Sequence, residues 1–199
     1  MNTKYFTRLI IIFGVLLLPT TAIYGATFLP ASEVASLRTE TEGDVYAASN
    51  SVVIAAPVNG DIFAAGDGVD ISGASTSSIF AAGRTVHISG DAKDDVRTAG
   101  SIISISSSID HDLFAAGSKI LITKDSHVHG ESYLAGEHVT ISGTLHKNVV
   151  VAASKLTITN GAVLMGDLTV YGSAPIIEEG AKVSGNVKTI ASQAHQKEV

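Results

Sequence analysis

Residues 61–90 read DIFAAGDGVDISGASTSSIFAAGRTVHISG, and they contain nearly the same phrase twice. Asp61-Ile62-Phe63-Ala64-Ala65-Gly66 returns 17 residues later as Ser78-Ile79-Phe80-Ala81-Ala82-Gly83. Val69-Asp70-Ile71-Ser72-Gly73 returns at the same interval as Val86-His87-Ile88-Ser89-Gly90. Moving outward from this pair, units open at Asp44, Asp61, Ser78, Asp95, Asp112, Glu131, Asn148 and Asp167, and another breaks off after Asn186. Successive openings lie 17 or 19 residues apart. A fixed period of this size marks a solenoid, in which each repeat buries its apolar side against its neighbours.

Inside each unit the hydrophobic period is two. Val69-Asp70-Ile71, Ile103-Ser104-Ile105, Val139-Thr140-Ile141 and Leu156-Thr157-Ile158 alternate apolar and polar residues, as a strand with one buried face does. Val, Ile and Thr favour strands, and the Gly or Asn that follows favours a turn. The fold class is therefore all-β. The handedness of parallel crossovers makes the expected form a right-handed parallel β-helix, a solenoid of about eight rungs of 17–19 residues. Three short strands and three corners fill such a rung, and a longer corner is expected around residues 124–130.

Alignment of the units gives columns. One predicted inward column holds Val45, Ile62, Ile79, Val96, Leu113, Val149 and Leu168. A second holds Val52, Val69, Val86, Ile103, Ile120, Val139 and Leu156, and a third runs from Ile54 through Ile71, Ile88, Ile105, Ile122, Ile141 and Ile158 to Ile177. Ala47, Ala64, Ala81 and Ala115 form a fourth, of small residues. Ser132 interrupts the first column and Pro175 the second, and Pro suits an edge or an irregular end.

Composition narrows the function. The chain has 199 residues, 45% hydrophobic but only 6% aromatic and 16% charged, so its core is built from small aliphatics. It has no Cys, which removes disulfides, thiolate metal sites and a Cys nucleophile. The net charge of −6 argues against nucleic acid as a partner, because phosphate contacts need a basic surface.

Lys4 and Arg8 flank the start of an apolar run, LIIIFGVLLL at residues 9–18, and small residues follow at Thr20, Ala22, Gly25 and Ala26. This is the layout of an export signal, or of a membrane anchor if it is retained. The predicted organisation is a signal or anchor helix over 1–26, a linker or short capping helix over 27–43 opened by Ser32, the repeat domain over 44–190, and a polar tail over 191–199. The expected location is the bacterial cell envelope, exported or membrane-anchored, with membrane or cell-wall components as candidate partners.

The pattern G-D-[VI]-x-A-A-G-x-x-V-x-I-S-G, clearest at Gly60-Asp61-Ile62-Phe63-Ala64-Ala65-Gly66 and Val139-Thr140-Ile141-Ser142-Gly143, resembles the bactofilins, polymer-forming cytoskeletal proteins of bacteria. The likeness extends over residues 44–190. It implies a right-handed β-helix that assembles end to end into filaments without nucleotide. Typical bactofilins are cytosolic, so the export segment is a departure. Independently of the likeness, an uncapped β-helix has two open ends of unpaired strand edges, which a second copy can pair.

Tyr46, Phe63, Phe80, Phe114 and Tyr133 each follow a first-column position and point outward by alternation. They are the candidate interface residues, as a lateral apolar stripe or as rings stacked on one another. No catalytic residue, cofactor or metal site is assigned. The nearest approach to a metal set is His127, His129 and Glu131, which alternate along one stretch and include two His. The corner residues Asp44, Asp61, Asp95, Asp112 and Asp167 are read as turn formers that bond nearby backbone. Paired acids such as Asp94-Asp95 and Glu178-Glu179 are sequence neighbours, without the long inserted loops that carry β-helix enzyme sites. The expected function is structural self-assembly. A monomeric exported adhesin or binding module is the alternative, followed by a polysaccharide-acting enzyme.

Overall fold

The computed structural model describes residues 25–29 and 33–191. Their regular structure is all β, parallel strands coiled into a solenoid of about ten turns. Each central turn contributes one ten-residue strand: Ile62–Ile71, Ile79–Ile88, Val96–Ile105, Leu113–Ile122, Ser132–Ile141 and Val149–Ile158. These pair in sequence order into one broad sheet. Two-residue strands, among them Ser108–Ile109, His127–Val128, Thr144–Leu145 and Val163–Leu164, stack into a second sheet that closes the coil.

The long strand is two of the three predicted short ones joined across a corner. Pairing between neighbouring turns runs Gly66↔Gly83 and then Gly68↔Thr85, stepping over the residue between. Close approach favours glycine at most of these corners: a Cβ on Gly83 would lie 2.5 Å from the Gly66 carbonyl oxygen, while Ala153 holds the position in a later turn.

The four predicted columns lie inside. Val45, Ile62, Ile79, Val96, Leu113, Val149 and Leu168 have no exposed surface, and Ile54 through Ile158 in the third column are equally enclosed. Burial of each such side chain contributes roughly 1.5–3 kcal/mol. Ile177 keeps its predicted register opposite Ile158 but is 43% exposed, because no described turn stacks beyond it. Pro175 lies just before the short strand Ile176–Ile177. A fifth inward column, Val58, Ser75, Ala92, Ile109, Val128, Leu145 and Leu164, was not anticipated. Its residue types vary, and two-residue insertions shift its spacing relative to the other columns. Those insertions are turns at Lys124-Asp125, Asn160-Gly161 and Glu179-Gly180, the first within the predicted long corner.

The described residues of the predicted linker or capping helix 27–43 form strands and no helix. Ala26–Leu29 pairs with Asp44–Ala48, Val34–Leu37 with Ser51–Ile54, and Thr41–Glu42 with Val58–Asn59. These strands make a first turn, which with the final strand Val187–Ile190 brings the count to about ten rather than eight. The helix reading rested on a local capping signal. The competing signal is the alternation in Val34-Ala35-Ser36-Leu37, which puts Ala35 and Leu37 in the core beside Val52 and Ile54. The predicted signal or anchor helix lies outside the described residues except Gly25 and Ala26, and Ala26 already belongs to the first strand. Among the described residues no helix is long and apolar enough to cross a membrane. The tail beyond Ala191 also lies outside them.

The corner acids act differently from the expected local turn formers. Asp61 N–H donates to Asp44 Oδ1 at 2.9 Å, Ser78 N–H to Asp61 Oδ1 at 2.9 Å, and Asp112 N–H to Asp95 Oδ1 at 2.9 Å. Glu131 N–H donates to Asp112 Oδ1 at 2.8 Å, Asp167 N–H to Asn148 Oδ1 at 3.0 Å, and Asn186 N–H to Asp167 Oδ1 at 2.8 Å. Each side chain accepts from the turn that follows it, 17 or 19 residues on. The corner is thus a ladder with a direction.

Candidate functional site

Immediately after the corner ladder comes the outward aromatic column. The rings of Tyr46 and Phe63, and of Phe63 and Phe80, stack 4.7 Å apart and nearly parallel, and Phe114 stacks on Tyr133 at 4.9 Å. Two members were missed from the sequence. Phe28 extends the stack into the first turn, 5.0 Å from Tyr46. Arg97 fills the gap between Phe80 and Phe114, its guanidinium carbon 5.7 and 4.9 Å from the two ring centroids. Asp95 fixes this guanidinium at 2.7 Å. The signal for Arg97 was its place in DVRTAG, where Phe stands in DIFAAG. Phe28 had no such signal, because its turn lacks the repeat's consensus.

The column is therefore both a ladder and a surface. Its rings cover one another's faces, and their edges stand half-exposed. Beside it runs an exposed row of alanines: Ala48, Ala65, Ala82, Ala99, Ala116, Ala135 and Ala152. The small residues form the floor and the rings one wall of an open apolar groove of about 960 Å³. Nearly all of its lining is carbon, so it suits an apolar occupant and offers little hydrogen bonding to sugars or nucleotides. Ring faces taken up by stacking leave no platform for a sugar.

At Glu131 the wall meets a polar corner. Tyr133 Oη donates to Glu131 Oε2 at 2.6 Å, and this bond raises the Tyr133 pKa above its ordinary value. Asn148 Nδ2 donates to the other Glu131 oxygen at 3.3 Å. His129 lies 3.2 Å from the Ile109 carbonyl oxygen and stacks on His146 at 4.6 Å. His127 is exposed on the short strand His127–Val128. The structure thus draws Glu131 toward Tyr133 and Asn148, and His129 toward His146, and does not gather His127, His129 and Glu131 around a common point.

Among the described residues, the side chains close enough to share an ion are Asp94, Asp95 and His111, with ligand atoms within 4.8 Å of one another. Their atoms are already engaged. Asp95 accepts from Asp112 N–H and pairs with Arg97, while Asp94 accepts from Ser78 Oγ and faces His111 Nδ1 at 3.3 Å. The cluster reads as a corner ion-pair network.

The two ends of the coil are the other distinctive surfaces. Large exposed apolar side chains gather there: Phe28 and Val34 in the first turn, and Met165, Tyr171, Ile176, Ile177 and Val187 in the last three. Only Ile102 and Tyr133 of this class lie between them among the described residues. No protein-family model, curated protein or solved structure matches the chain.

Proposed function

We propose that this chain is a non-enzymatic structural protein that assembles through the ends of a right-handed coil into a polymer or scaffold at the bacterial cell envelope, in the manner its resemblance to bactofilins implies. The observation that carries the reading is the concentration of exposed large apolar residues at the two ends. Exposed strand edges with apolar side chains are templates for another chain, and contiguous exposed apolar surface marks an interaction site. The envelope location rests on the Lys4, Arg8 and apolar 9–18 pattern, which also makes membrane or cell-wall components candidate partners.

A second reading, a monomeric exported binding module, draws on the alanine-floored groove. Electron microscopy of the full-length purified chain, paired with light scattering across a concentration series, separates the two. Filaments are the expected result. A monodisperse monomer at every concentration would overturn the assembly reading in favour of the binding module.

A further inference from the structure

We propose that the apolar groove along the side of the coil seats an amphipathic helix of a partner protein, its apolar stripe on the alanine floor and a basic edge along the corner acids. This goes beyond end-to-end assembly, because the central run of the groove lies on the flank of the coil, on turns stacked from both sides.

The chemistry of the groove selects a helix. Its floor is a sheet face, and the backbone groups beneath it are already paired from turn to turn. An extended segment laid there would meet no strand edge, and its own N–H and C=O groups would stand unpaired against carbon. A helix satisfies its backbone internally and presents a continuous apolar stripe. The floor leaves room for that stripe, since Ala65, Ala82, Ala99 and Ala116 are exposed, and the rings of Phe63 and Phe80 flank it on one side. From Tyr46 to Val150 the wall takes six register steps, or ~29 Å at about 4.8 Å each. A helix of about 19 residues has the same length at a rise of about 1.5 Å per residue.

Charge selects which helix. The corner acids stand against the ring wall, as two contacts show: Asp95 holds Arg97 at 2.7 Å, and Tyr133 Oη donates to Glu131 at 2.6 Å. Asp61 and Asp112 each give one carboxylate oxygen to the N–H of the following turn, and among the described residues neither forms an ion pair. Arg97, the only charged residue in the described lining, is already matched by Asp95. The border of the groove is therefore acidic and unmatched. Asp61 and Asp112 lie three turns apart, ~14 Å at the spacing of neighbouring strands. Basic residues about eleven positions apart lie on one helix edge, ~16 Å from each other, and reach both acids. Arg97 displays the posture: its guanidinium lies over the Phe114 ring and holds a corner carboxylate. A second copy docking through this same face would bring the same acid row to the contact.

The test is binding of a synthetic helix to the full-length chain. The probe is a fluorescein-labelled peptide of that length made of Leu and Lys, Leu along one face and Lys along one edge, read by anisotropy. Its controls are the same peptide with Glu for Lys and a scrambled peptide of the same composition. The expected result is saturable binding of the first peptide alone. Ala99→Gln, which raises a polar side chain from the floor at an exposed position, should weaken it about tenfold. The double variant Asp61→Asn, Asp112→Asn keeps the acceptor oxygens, as Asn148 does, and should weaken it and flatten its salt dependence. Equal binding of the Glu peptide would overturn the charge match, and equal binding of the scrambled peptide would overturn the helix. Binding unmoved by Ala99→Gln would overturn the groove as its seat. A dimer in light scattering that Ala99→Gln dissociates would make a second copy the occupant and overturn the partner. Absence of binding to the full-length chain would overturn the proposal, a groove closed by residues 1–24 included.

Discussion

Ser132 stands in the first inward column between Leu113 and Val149, fully buried, with no partner for its Oγ among the described residues. A buried hydroxyl without a hydrogen bond costs about 1–3 kcal/mol. Ser132→Val should therefore stabilise the coil by roughly 1 kcal/mol, read as a higher thermal midpoint. A lower midpoint would mean the site lacks room for the branched side chain. His146 makes a second residue-level prediction. Burial first, then the neighbouring His129, His127 and Lys147, hold its pKa below the ordinary value. In the unfolded chain it takes up a proton near pH 6.5, and in the folded chain only at lower pH. The unfolded state thus binds more protons in that interval, so stability is intact above about pH 6.5 and falls as pH drops through it toward the folded pKa. Urea midpoints should be lower at pH 5 than at pH 7.5, and His146→Gln should narrow the difference. An unchanged difference would remove His146 from the account. Ser132 was legible as an interruption of an aliphatic column. The His146 environment was not, since its burial and its His129 neighbour arise only once the turns have stacked.

The corner ladder is the element whose meaning changed most between sequence and structure. Recurring Asp was plain in the repeats, and local bonding was the natural reading of an Asp at a turn. The observed acceptor roles reach the next turn instead, a contact that exists only once the coil has closed. The same distance in sequence hid the fifth inward column, whose Val58, Ser75 and Ala92 share no residue type. It also hid the first turn, where Ala26-Thr27-Phe28-Leu29 fits the register but not the consensus. By contrast, columns of Val and Ile at strict intervals were readable, because one residue class at a fixed period has a single packing solution. Asp112 tests the ladder. Asp112→Ala removes the acceptor for Glu131 N–H and should cost about 1.5–3 kcal/mol, the range for hydrogen bonds to charged groups. Asp112→Asn keeps an oxygen at the same place, as Asn148 does for Asp167, and should cost less in chemical denaturation. Equal losses in the two variants would mean that charge rather than the bond matters there.

For the whole molecule, low charge, few aromatics and no Cys have one cause. Stability is spread over about ten like turns, each resting on its neighbours, and the core runs unbroken to both ends. A stack of this kind has no internal reason to stop. The large apolar side chains of its first and last described turns, Phe28, Val34, Ile176, Ile177 and Val187, are exposed. The fold was readable from the repeats. The first turn was not, because Ala26–Leu29, Val34–Leu37 and Thr41–Glu42 reveal themselves only by pairing with the turn that follows. The most direct test of the account is electron microscopy of the full-length chain across a concentration series. End-to-end assembly predicts filaments, because open strand edges template further pairing. A chain that stays monomeric and forms no filament at any concentration would contradict the account.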